Sequence, residues 1–135
     1  MIDIENDVFD TVAKALRAAH SGIYVTGEAV PIEAKLPAVS IVEADNRVAE
    51  RYRTTTEREF AANVMFEVNI YSDKAAGKKS EAKAIAHTVD NTLAELGFTR
   101  TMRNQVPNFN DTRIYRIVCR YEATVDKDLW IYDQR

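Results

Sequence analysis

Disulfide chemistry has almost nothing to work with here: the 135 residues include one cysteine, Cys119. A single thiol cannot close a bridge within the chain, and without a CxxC pair the usual zinc and redox spacings are excluded. A reducing compartment is the simple expectation. Only 4 glycines and 3 prolines are present, so there is no Pro/Gly-rich linker, and no repeat or low-complexity tract divides the chain. The apolar runs are far shorter than the ~20 residues that cross a bilayer. The opening Met1-Ile2-Asp3-Ile4-Glu5-Asn6-Asp7 is acidic and lacks an apolar signal-peptide core. A cytosolic protein with no membrane anchor is expected.

A basic surplus is also lacking. The net charge is -3, which argues against a dedicated nucleic-acid binder. The charge is unevenly placed: Met1 to Asp45 holds 3 basic and 8 acidic residues, whereas Phe98 to Arg135 holds 7 and 5. Unlike surfaces on neighbouring copies could use that asymmetry. The acids Asp3, Glu5, Asp7 and Asp10 equally suit the start of a helix, whose dipole favours anions.

What remains is an ordinary folding composition, 46% hydrophobic and 29% charged, which excludes disorder for the chain as a whole. The length predicts a single domain over residues 1–135. Val8, Val12, Ala15, Leu16 and Ala19 recur at three- and four-residue spacing and predict a helix over 3–19, stopped by Gly22. Ile23 to Thr26 and Ala38 to Val42 read as short strands. Residues 43–59 are polar and predict an extended loop or hairpin arm. Phe60, Ala62, Val64, Phe66, Val68 and Ile70 alternate, placing one face of a strand over 60–71 in the core. A second helix over 79–96 carries the stripe Ala82, Ile85, Ala86, Val89, Leu93, Leu96 and ends at Gly97. Strands follow over 98–102 and 112–125, the latter placing Tyr115, Ile117, Cys119, Tyr121, Ala123 and Val125 on one face, with Ile117 and Cys119 in the core. Together these predict an α+β fold: a mainly antiparallel sheet, two helices packed on one face, and one long hairpin or arm.

Chemistry is harder to find. Ala76-Gly77-Lys78-Lys79-Ser80 follows a strand and opens a helix, as a phosphate loop does. The motif GxxxxGK[ST], however, needs glycine where Ser72 stands and serine or threonine where Lys79 stands. A solvated helix start is expected instead. His20 falls at a helix end, and His87 has no HxxxH or HExxH partner. Cys119 reads as a small buried hydrophobe. Asp126, Asp128 and Asp133 lack a calcium-loop pattern. The expectation is therefore no catalytic residue, no cofactor and no metal site. An assembly interface is expected instead, at Arg47, Glu50, Arg51, Arg53, Glu57 and Arg58, whose balanced charges suit lateral pairing, and at Trp130 and Tyr132, residue types favoured in contact cores.

The stretch Val68-Asn69-Ile70-Tyr71-Ser72, then Gly77-Lys78-Lys79, Ala82, Ile85, Val89-Asp90, Leu93 and Leu96-Gly97-Phe98-Thr99-Arg100 resembles phage tail terminator and tail-completion (head–tail joining) proteins. So do Tyr115-Arg116, Arg120-Tyr121, Val125-Asp126 and Ile131-Tyr132. The resemblance covers most of the chain, and none of its motifs is chemical. It implies a structural virion protein, assembled in the host cytoplasm into a ring, commonly a hexamer. Such a ring caps the tail tube and connects it to the head. Its partners would be other copies of itself, the tail tube protein and a head-completion or connector protein. DNA would pass through the channel without specific binding. Two other classes stay open on the residues alone: a small cytosolic α+β enzyme or ligand-binding protein using His87 or the Gly77 loop, and an adaptor that binds a peptide along an exposed strand edge.

Overall fold

The computed structural model describes residues 1–31, 33–49, 61–108 and 111–131. Its elements in chain order are α1 (Glu5–Ala19), β1 (Tyr24–Thr26), β2 (Ala38–Val48), β3 (Ala61–Ser72), α2 (Lys78–Glu95), β4 (Thr99–Gln105) and β5 (Tyr115–Asp126). They make an α+β fold with one five-stranded sheet, ordered β1-β2-β3-β5-β4.

Strict alternation makes β3 the middle of this sheet. Ala62, Val64, Phe66, Val68 and Ile70 are buried, while Asn63, Met65, Glu67, Asn69 and Tyr71 are half-buried or exposed. On one side β3 pairs antiparallel with β2, setting Val39 beside Ile70 and Ile41 beside Val68. On the other it pairs antiparallel with β5, setting Ile117 beside Ile70, Cys119 beside Val68 and Tyr121 beside Phe66. Residues level with one another across a sheet point to the same face, so the apolar positions of three strands coincide. One core cluster joins them to Val8, Val12 and Leu16 of α1 and to Ala82, Ile85, Val89 and Leu93 of α2. The expected core thus holds at Val64, Phe66, Val68, Ile70, Ile85, Val89, Leu93, Ile117 and Cys119; Phe60 lies outside the described residues.

The end of α2 follows from its sequence. Gly97 has φ +99°, a left-handed geometry that other residues enter at a cost. The Gly97 N–H donates to the Ala94 carbonyl at 3.0 Å and the Phe98 N–H to the Leu93 carbonyl at 2.9 Å. This pair of bonds satisfies two carbonyls the helix end would otherwise leave open. It also turns Phe98 into the core, edge-on to Phe66 with ring centroids 5.6 Å apart.

Two element boundaries need correction, and of the loop or hairpin arm expected over 43–59, residues 43–48 are the arm: β2 continues through Val48 and stays paired with β3. A bulge between Glu43 and Asp45 resets the pairing, and the side chain of Asn46 bridges the Ile2 carbonyl at 2.8 Å and the Glu43 carboxylate at 2.7 Å. Asn46 is thus satisfied by Ile2, remote in sequence, as well as by nearby Glu43. The N-terminal helix begins at Glu5 rather than Asp3, and Ile2 and Ile4 ahead of it are buried. The last strand begins at Tyr115 rather than Thr112, because Asp111 to Ile114 forms a turn: the Ile114 N–H donates to the Asp111 carbonyl at 3.1 Å. Short β1 pairs parallel with β2, the exception in an otherwise antiparallel sheet.

Candidate functional site

Most of the residues that could carry chemistry are already engaged. His20 Nε2 lies 2.8 Å from Thr88 Oγ1, so it ties the end of α1 to α2. His87 is exposed on α2. Cys119 is fully buried, and burial pushes its thiol above the ordinary value. A sulfur held as neutral thiol is a poor nucleophile. In the Gly77 loop, Ser72 Oγ donates to Glu81 Oε1 at 2.7 Å and Lys78 Nζ donates to the Arg113 carbonyl at 3.0 Å. Those bonds fasten a helix start to its surroundings. The buried Tyr121 hydroxyl donates to Asp90 Oδ1 at 3.0 Å, with Arg100 Nε 3.6 Å from the same oxygen. Burial is the first cause raising that hydroxyl far above the usual phenol range, so it stays a proton donor. Among the described residues no group of three or more His, Cys, Asp or Glu could hold a metal ion.

The unusual surfaces lie at opposite ends of the sheet. At one end Val48, Ala62 and Val125 stand level across β2, β3 and β5, and Ile131 bridges to Val125 beyond the end of β5. The chain gets there through a tight turn. Asp126 Oδ1 accepts the N–H of Asp128 at 2.9 Å and of Trp130 at 3.0 Å. The Asp126 N–H in turn donates to the Trp130 carbonyl at 2.9 Å. Leu129 adopts φ +65° there, the one positive φ at a non-glycine residue among those described. Such a conformation costs about 1–3 kcal/mol. The turn buries Ile131 but leaves Leu129 and Trp130 exposed, Trp130 by 63%.

The other end has a cavity of about 250 Å³, walled by Val30, Pro31, Leu36 and Ile114 with Tyr71 and Arg116 beside them. Arg116 is held in place: its Nε and Nη2 donate to Asn69 Oδ1 at 3.0 and 2.7 Å, and its guanidinium carbon sits 5.4 Å from the centre of the Tyr71 ring. Asn108 and Asp111 complete the lining, and Asp111 is held by Arg113, which donates from Nε and Nη2 to its two carboxylate oxygens at 3.0 and 2.9 Å.

The side chain and backbone N–H of Arg113 hold the Asp111 carboxyl at about 2, below its ordinary 3.8. A depressed carboxyl contributes stability above its unfolded value and loses it as pH falls through the folded one. The contribution of this pair should therefore fade between about pH 4 and pH 2. In an NMR pH titration, Arg113→Ala should move Asp111 up toward the ordinary carboxylate range; an unmoved midpoint would mean that the pair does not form.

No family model and no curated protein matches this sequence. A solved structure does. The chain shares its fold with a chain of the virion of a native gene transfer agent particle, at a TM-score of 0.58 and 19% identity, over 87% of this chain and 92% of that one. This fold occurs in a virion.

Of the expected assembly residues, Arg47 stands in β2 opposite Asn63, with its Nε 3.0 Å from Asp45 Oδ2. Trp130 is exposed in the terminal turn. The sheet separates these two from the cavity. Glu50, Arg51, Arg53, Glu57, Arg58 and Tyr132 lie outside the described residues. Sequence reasoning missed the cavity, because its walls come from the β1–β2 connector, the end of β3 and the approach to β5, which share no spacing signal.

Proposed function

We propose that this chain is a structural, non-enzymatic subunit of a phage or phage-like virion, a ring-forming tail terminator or head–tail joining protein that caps the tail tube and connects it to the head. The observation that carries the reading is the fold shared with a virion chain along nearly the whole length of both proteins. The resemblance of the Val68–Arg100 and Tyr115–Tyr132 stretches to tail-completion proteins supports it independently. The engaged state of His20, Cys119 and the Gly77 loop fits a protein selected for surfaces rather than turnover.

In this reading the protomers form a closed ring, a hexamer, through contacts in which one surface meets a different surface of the next copy. The tail tube protein binds one side of the ring and a head-completion or connector protein the other. A net acidic chain suits a channel that lets DNA pass without holding it. The mixed-charge stretch over 43–59, with Arg47, Arg51 and Arg53, is placed between copies, where several weak ion pairs act together. Negative-stain microscopy of the purified protein, with sedimentation velocity alongside, should show annular particles. Changing the three arginines to glutamate should reduce these particles, most visibly at low salt. Monomers at every concentration would sink the reading.

A further inference from the structure

The two unusual ends of the sheet match each other. The cavity is about 250 Å³, below the ~300–1,000 Å³ of pockets that take drug-sized molecules and suited to one large side chain. Its apolar walls and its fixed Arg116 are chemistry for an aromatic ring, since a guanidinium is attracted to ring faces and to tryptophan most strongly. The protein carries one tryptophan, Trp130, held out by a turn whose backbone is strained at Leu129. Strain at an exposed apolar residue points to a contact that the isolated chain does not make.

A copy cannot fill its own cavity. Trp130 sits beyond the row through Ala62 and Val125, whereas the cavity lies beside Tyr71. At ~3.3 Å per strand residue, the stretch of β3 between them spans roughly 30 Å. We infer that Trp130 of one copy inserts into the cavity formed by Val30, Leu36, Ile114 and Arg116 of the next. The occupant is a second copy of this chain. Knob and hole lie on different surfaces, so the contact runs head to tail and must either close into a ring or extend. It thereby supplies one of the contacts that the ring reading above requires, and it rests on that reading.

Trp130 is also the probe. Excited selectively, the full-length protein reports only this residue, so its emission should move to shorter wavelength across the concentration range in which sedimentation shows assembly. Trp130→Ala should raise the midpoint concentration of assembly at least about tenfold, as the loss of a buried aromatic anchor does. Leu36→Glu should do the same from the cavity side, and Val30→Glu replaces it if that variant fails to fold. A mixture of Trp130→Ala and Leu36→Glu copies should give dimers with blue-shifted emission, because one intact knob meets one intact hole. If the parent assembles with unchanged emission, or Trp130→Ala assembles at the parent's concentration, this contact is wrong while the ring reading stands. A parent that stays monomeric throughout overturns both, and the sedimentation trace distinguishes that case.

Discussion

Phe66→Ala is expected to lower the free energy of unfolding by ~3–5 kcal/mol, the range for truncating a fully buried phenylalanine. Phe66 is completely buried on the central strand, level with Glu43 on one side and Tyr121 on the other. Its neighbours cannot readily collapse into the space. Phe98, edge-on to it at an interplanar angle of 83°, is fixed by the backbone bond to Leu93, and Tyr121 is tethered to Asp90. The loss therefore includes both burial and a cavity. Against a total of ~5–15 kcal/mol, urea unfolding should show a large fall in midpoint with little change in slope. A midpoint close to the parent's would mean that the odd-numbered face of β3, not the even one, is buried.

The second large effect is at α2. Leu93→Ala should cost ~2–5 kcal/mol. Leu93 is fully buried, and its carbonyl accepts the Phe98 N–H that closes the helix end. The substitution keeps that backbone bond and removes only the side chain, so calorimetry reads the packing contribution of the helix. Glu95→Ala, two residues on and exposed, is the matched control and should stay within about 0.5 kcal/mol of the parent. A Leu93 variant as stable as the control would show that α2 does not depend on its apolar stripe.

The parts of the fold that were legible in the sequence are those where one periodicity runs unbroken. Alternation within 61–72 and 115–126 shows which side chains share a face, and the stripe of α2 identifies its buried side; in α1 the stripe is right at Val8, Val12 and Leu16, but Ala19 is exposed and Ala13 is buried in its place. Legibility ends where distant segments satisfy each other. Glu43 to Val48 has weak strand propensity, and it is extended because it pairs with β3 and because Asn46 holds the Ile2 carbonyl. Neither cause is local. Ile2 and Ile4, between acids, carried no sign of burial. The parallel pairing of β1 depends on where the chain returns after its connector, which three strand residues cannot specify. Of the candidate site, Trp130 was visible as a large aromatic near the end of the last strand, whereas its exposure depends on a turn organised by the Asp126 carboxylate. The cavity was invisible, because Leu36, Tyr71 and Arg116 meet only once the sheet exists.

The strand order has a consequence for the timing of folding. β5 lies between β3 and β4, although it is the last of the three to be made. As the chain emerges, β2 and β3 can form a hairpin, but the far edge of β3 stays unpaired while α2 and β4 are synthesised. β4 cannot relieve it, because its native neighbour is β5. At ~5–20 residues per second the wait lasts seconds, long compared with the microseconds in which a hairpin forms. During that interval Phe66, Val68 and Ile70 line an open edge, the template on which strands of other chains can add. The yield of soluble protein should therefore depend on how quickly the final strand arrives, more than on the stability of the finished sheet.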